Sequence, residues 1–233
     1  MYMMAYHYDR LQEAAAAMVA SRPEVGDSWL LKLERPEQIA QICAAHVESE
    51  ASGMAFEKPS TVPDAWRCAV SFDSDGTISV KSAPAKQIAQ PLLFPTSFAI
   101  DSIPPWNVVM DSQTTDLSPA TSFKTSDREM YNRAREAAGI SGPTHTKEVL
   151  LYNTDGLIMD GSITTPYLFR EERWMTPPKS SGGQQGVTRR WALQQGLCSE
   201  GIVPRNSMKD GETIWLSNAF RGFFPAVFKE GRS

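Results

Sequence analysis

The sequence predicts an α/β (α+β) protein of two domains, and three observations carry that prediction. Apolar residues keep helical spacing up to about residue 53, then switch to strict alternation between residues 67 and 80. Pro91, Pro95, Pro104 and Pro105 interrupt the chain within one short stretch. Beyond them, short apolar strands alternate with helices that carry start signals. The expected layout is a small α+β domain over residues 1–100, a proline-rich connection over 91–105, and a larger α/β domain over 104–233.

From Asp9, the residues Leu11, Ala14, Ala15, Met18 and Val19 repeat at i, i+3, i+4, i+7 and i+8, which marks an amphipathic helix with a small inner side. A second helix is expected over residues 37–53, after Pro36, on the spacing of Ile39, Ile42, Cys43, His46 and Val47, with His46 toward the core. Cys68, Val70 and Phe72 then alternate with Arg67, Ala69 and Ser71 ahead of Asp-Ser-Asp-Gly, Ile78 and Val80, which reads as a hairpin. After the prolines, residues 106–110 form a short strand. Ser126 and Glu129 make a capping box for a helix containing Met130, Ala134 and Ala137, closed by Gly139. Residues 148–153 and 157–159 flank Thr-Asp-Gly as another hairpin. A glycine loop ahead of Val187 opens a helix that stops near Gly196, and residues 213–218, TIWLSN, read as a buried strand.

Composition narrows the function classes. The chain has 233 residues, 41% of them hydrophobic, enough for a sizeable core. Lys+Arg 23 against Asp+Glu 27 gives a net charge of -4 with no basic run, so nucleic acid is not an expected partner. Cys43, Cys68 and Cys198 are odd in number and widely spaced, which fits a reducing compartment and no metal site. No window reaches the ~18 consecutive apolar residues of a membrane span, and the amino terminus lacks a signal pattern, so the expected location is cytoplasmic.

Four segments carry chemistry. His7 and Arg10 stand three apart at a helix start, hence near one face; a solvated first turn looks the same. Lys124 follows an apolar residue and precedes a helix cap, as an ordinary surface lysine also can. Asp160 follows a strand and precedes a turn of small residues, where a plain loop aspartate is equally at home. Gly186, Val187 and Thr188 open a helix, whose unsatisfied N–H groups and dipole suit a phosphate, though unliganded helix starts are more common. Arg189 is either a phosphate neighbour or a helix salt-bridge residue, with the latter favoured.

Taken in order, H-x-x-R-L, F-K-T-x-x-R, D-G-S-I-T-T-P-Y, G-V-T-R-R and L-S-N resemble the class IV aminotransferases, the fold-type IV pyridoxal-phosphate enzymes. The phrases LYNTDGLIMDGSITTPYLFR, RWMTPP and GGQQGVTRRWAL are similar more narrowly to fungal aminodeoxychorismate lyase-like members. The resemblance implies the two-domain D-amino acid aminotransferase-like fold, a homodimer and pyridoxal 5'-phosphate. It assigns Lys124 as the amine that holds the cofactor aldehyde, and Asp160 as the partner of the pyridine nitrogen, where the family usually has a glutamate one methylene longer. It assigns Arg10, supported by His7, to the cofactor phosphate together with Val187 and Thr188, and it matches Ser217 and Asn218 to a second loop over the cofactor.

The activity so implied is a lyase that converts 4-amino-4-deoxychorismate to 4-aminobenzoate, a folate precursor, and pyruvate. Amino-group transfer from an amino acid or amine is the alternative, and a fold-retaining protein with lost or cofactor-independent activity is a second one. Family members place two strands before the H-x-x-R-L helix, whereas six residues precede His7 here. The small domain is therefore expected to be amino-terminally short, with a hairpin edge that a partner chain covers and with weak lyase turnover.

Overall fold

The computed structural model describes residues 2–21, 24, 35–57, 63–73, 77–99, 103–142 and 146–231. By contact density the chain divides into two units, Met1–Ala89 and Gln90–Ser233.

The first unit holds α1 (Met4–Ser21), α2 (Pro36–Glu57), β1 (Ala65–Phe72) and β2 (Ile78–Ala85). Helix α1 starts at Met4 rather than at Asp9, because Met4 and Tyr8 extend the apolar stripe of Leu11, Ala15, Met18 and Val19 backwards by further turns. His7 and Arg10 consequently lie inside the helix instead of at its start. On α2 the apolar face is narrower than its spacing suggests: Ile39 and Cys43 are buried, His46 is half-buried, and Ile42 is exposed. The hairpin forms in antiparallel register with Val70 opposite Val80 and Phe72 opposite Ile78. Cys68, Val70, Phe72 and Val80 pack on Ala15, Ile39 and Cys43 as one small core. Of the turn signal between the strands, residues 74–76 lie outside the described residues.

The second unit opens with α3 (Gln90–Leu93), so the proline-rich stretch does carry regular structure: Pro91 fits a single helical turn, where its missing N–H costs nothing. This segment packs tightly. A Cβ at Gly222 would lie 2.3 Å from the Leu92 carbonyl oxygen, and the Gly222 φ of +70 also requires glycine. Phe98 inserts among Tyr167, Trp174, Trp215 and Phe223, with centroid separations of 4.9 to 5.9 Å.

Eight strands follow in one sheet: β3 (Trp106–Met110), β4 (Lys147–Tyr152), β5 (Ile158–Gly161), β6 (Thr165–Arg170), β7 (Arg173–Thr176), β8 (Ser199–Glu200), β9 (Thr213–Asn218) and β10 (Gly222–Phe228). Their spatial order is β5-β4-β3-β10-β9-β6-β7-β8. The expected hairpin at Thr-Asp-Gly is β4–β5, with Leu151 opposite Asp160, and TIWLSN is β9. Three helices accompany the sheet: α4 (Pro119–Ser122), α5 (Glu129–Ala137) and α6 (Val187–Gln194).

Alternation sends two chemistries to two faces. Leu150, Ile158, Leu168, Ile214, Leu216, Phe224, Ala226 and Phe228 form one apolar core, where each large side chain removed from water contributes about 1.5–3 kcal/mol. The opposite face of β6, β9 and β10 carries Thr165, Tyr167, Trp215, Ser217 and Phe223, against which Trp191 of α6 packs through Phe223 at 5.5 Å. Elsewhere, α5 covers β4 through Tyr131 and Ala134 on Val149 and Leu151.

The capping box is a correction. Ser126 does not cap α5; the N-cap is Arg128, which makes no side-chain cap bond. Thr125 donates its hydroxyl proton to the Asp127 carbonyl and Arg128 is drawn to the Ser162 carbonyl, so the helix does not begin until Glu129. A capping box does exist, between Ser118 and Thr121 of α4. Gly139, with φ +68, follows the end of α5 as expected.

Candidate functional site

Asp160 and the start of α6 are joined by the glycine loop over residues 182–186. The Asp160 carboxylate accepts from the Gly161 N–H at 3.0 Å and from the Gln184 N–H at 3.2 Å. The loop can come this close because residue 183 has no side chain: a Cβ there would lie 2.2 Å from the Met159 carbonyl oxygen. Burial, with 7% of the residue exposed, pushes the Asp160 carboxyl well above the usual carboxylate range. No ion pair among the described residues compensates it. Arg189, the nearest influence of positive sign, is itself committed to the Pro177 carbonyl, Gln185 and Glu200. The salt-bridge reading of Arg189 therefore describes its contacts.

Helix α6 begins at Val187 with Gly186 as its N-cap, which offers no side chain to the first-turn N–H groups. Thr188 is buried and accepts a hydrogen bond from the Ser217 hydroxyl at 2.7 Å, and Ser217 in turn meets the Tyr167 hydroxyl at 2.8 Å. Asn218, next along β9, spends its side chain on local structure: its carbonyl accepts from the Phe220 and Arg221 N–H groups, and its amide donates to the Ile163 carbonyl at 3.1 Å. Asn218 thus ties the β9–β10 turn to the turn after Asp160.

That second turn, residues 162–164, rests on a residue that the sequence reading did not single out. Glu148, wholly buried at the start of β4, accepts from the N–H groups of Val149, Ser162 and Ile163 and from the hydroxyls of Ser162 and Thr164. Burial raises its carboxyl, and these donors work in the opposite direction. Arg128 and Arg135 reach the same turn at the Ser162 carbonyl, 2.7 Å, and hydroxyl, 3.0 Å. Tyr131, also missed, is fully packed under Arg128, whose guanidinium lies 4.8 Å from its ring centroid, and its hydroxyl donates to the Thr121 carbonyl at 3.4 Å. A charged residue that heads the apolar run VLLY was the available signal for Glu148.

Lys124 lies between α4 and α5, exposed, on the non-helical segment that Arg128 anchors to the turn after Asp160. His7 and Arg10 belong to the first unit, both half-buried on α1 and one turn apart. The second unit thus brings together Asp160, Val187, Thr188, Ser217 and Asn218 around one loop and one helix start.

Comparison with known proteins agrees with this architecture. The "putative amino-acid aminotransferase" of Mesorhizobium loti superposes with a TM-score of 0.67 at 23% identity, covering 97% of this chain and 91% of that one. A "putative 4-amino-4-deoxychorismate lyase" of Haemophilus somnus 129PT gives a TM-score of 0.56 at 18% identity, over 94% and 90%. Both likenesses establish the fold. Among curated relatives, the aminodeoxychorismate lyase of Saccharomyces cerevisiae is 33% identical over 147 residues, 57% of this chain and 39% of the relative. The chain spans about half or less of the length of the curated relatives it matches. The family model for amino-transferase class IV matches residues 1–227, and the chain belongs to the class IV aminotransferase family.

Proposed function

We propose that this chain binds pyridoxal 5'-phosphate and acts as a lyase on 4-amino-4-deoxychorismate, giving 4-aminobenzoate and pyruvate. The observation that carries the cofactor reading is the Asp160 carboxylate, buried, held by two backbone donors and, among the described residues, in no ion pair. A protonated pyridine nitrogen is the partner such a group needs. The start of α6, with a bare Gly186 and the buried Thr188 hydroxyl, suits the phosphate. These residues fit the cofactor.

When bound, the cofactor supplies an electron sink for the substrate's amine-bearing carbon. Lys124 is the residue proposed to hold it, and its Nζ then moves protons at the substrate. Asp160 keeps the proton at the ring nitrogen, Val187 and Thr188 orient the phosphate, and Ser217 acts through Thr188. Asn218 keeps the neighbouring turn in shape. Arg10, supported by His7, is proposed as a bidentate phosphate ligand on the family motif alone. The substrate rests on the likeness to the Saccharomyces cerevisiae enzyme.

A homodimer is proposed from the family resemblance, and a cytoplasmic location from the three free thiols. No described helix is long and apolar enough to cross a membrane.

The test is a product assay on the purified chain with added pyridoxal phosphate and aminodeoxychorismate. Equal amounts of 4-aminobenzoate and pyruvate are expected. Transfer of the amino group to a 2-oxo acid without 4-aminobenzoate would replace the lyase reading with aminotransfer, and neither product would reject both.

A further inference from the structure

We infer that Tyr167 is a positioning residue for the phosphate end of this site: it fixes the direction of a three-hydroxyl chain so that Thr188 offers its proton to an acceptor-only anion. The inference rests on the cofactor reading above and concerns a residue that the family motifs do not assign to the cofactor.

Each hydroxyl carries one proton. Ser217 donates its own to Thr188 across 2.7 Å, so in the 2.8 Å contact with Tyr167 it can only accept, and Tyr167 must donate. Thr188, having accepted from Ser217, retains its proton, and among the described residues no group accepts it. Thr188 is the second residue of α6, and only 1% of it is exposed. The free proton is therefore a buried donor at a helix start whose N-cap supplies no side-chain acceptor.

The register of the sheet builds this chain. Thr165 pairs with Ser217 and Tyr167 with Trp215, so Tyr167 and Ser217 are diagonal neighbours on one face. The Tyr167 ring is held by Phe98 at 4.9 Å and Phe223 at 5.8 Å, and the residue is fully buried. Packed in this way, the phenol cannot turn away and water does not compete for Ser217. Without the phenolic donor, the acceptor side of the Ser217 oxygen is unfilled, and Thr188 can turn its own proton toward it. Thr188 then presents only lone pairs to the ligand, which repels a phosphate oxygen.

Tyr167→Phe keeps the ring and its packing while removing the donor, and an unchanged melting temperature within a few degrees verifies the fold. The affinities of the full chain for pyridoxal phosphate and for pyridoxal are measured in the original and substituted proteins. The expected result is a loss of roughly 3- to 10-fold for pyridoxal phosphate and none for pyridoxal. Inorganic phosphate should compete less well against the variant by a similar factor. Because Tyr167 acts through Ser217, adding Tyr167→Phe to Ser217→Ala should cost almost nothing more. Equal losses for both ligands, no loss for either, or full additivity with Ser217→Ala would overturn the inference while leaving the cofactor reading intact. An original protein that binds neither ligand would overturn both.

Discussion

Strand β9 carries two different jobs on its two faces. Ile214 and Leu216 point into the apolar core with Leu168, Phe224 and Ala226, whereas Trp215 and Ser217 face the aromatic layer and the start of α6. Neighbouring residues, one peptide bond apart, thus belong to separate tasks. The core face is close-packed hydrocarbon whose contribution is to stability. The other face includes hydroxyls in a fixed relay and, through the 162–164 turn, two buried carboxylates. The contrast teaches that stability and the proposed cofactor recognition should be separable by substitutions on one strand.

Truncating the core face should have the largest effect. Leu216→Ala is expected to destabilise the protein by about 2–5 kcal/mol in denaturant unfolding, with little change in cofactor affinity while the chain stays folded. A comparable loss of affinity would mean that the two faces are coupled.

Glu148→Gln comes next. An amide sets a donor against donors that now share a carboxylate, at an expected cost of about 1–3 kcal/mol, and the displaced turn should weaken cofactor binding as well. Loss of stability with cofactor affinity intact would show that the turn over residues 162–164 has no bearing on the site.

The smallest effect is a pH dependence. The folded-state carboxyl of Asp160 is raised, so the native chain holds a proton that the unfolded chain releases. Stability from this group is complete below the ordinary aspartate range near about pH 4, and is lost as pH rises through the raised folded value. The difference between the original protein and Asp160→Asn, both cofactor-free, should therefore grow with pH across that window, by at most about 1.4 kcal/mol per pH unit. Unfolding curves collected along a pH series would reveal it, and parallel curves would mean that burial does not act on Asp160 as described.

Much of the fold was legible because its signals are local. Period-two alternation through Cys68, Val70 and Phe72, the Thr-Asp-Gly turn, and the apolar run of TIWLSN each depend on neighbours in sequence. The helix start at Met4 was also available, since Met4 and Tyr8 continue the stripe, but the expected helix began at Asp9, five residues later. Ser126 misled because a capping signal competes with tertiary bonds, and Arg128 is tied to Ser162, 34 residues away.

Long-range pairing hid the remainder. Tyr167 meets Ser217 only because β6 pairs with β9 across 50 residues. Glu148 looks like a surface charge until β5 and the turn after it fold over its carboxylate. The motif residues Asp160, Val187 and Thr188 were assigned by resemblance; the structure adds how the 182–186 loop connects them.

The central claim is that Lys124 carries the cofactor on this site. Borohydride reduction of the purified chain incubated with pyridoxal phosphate, followed by peptide mass mapping, tests it most directly. The account predicts one reduced adduct on Lys124, absent in Lys124→Ala while that variant keeps its melting temperature. An adduct that persists in the variant, or that maps to Lys147 instead, would contradict it.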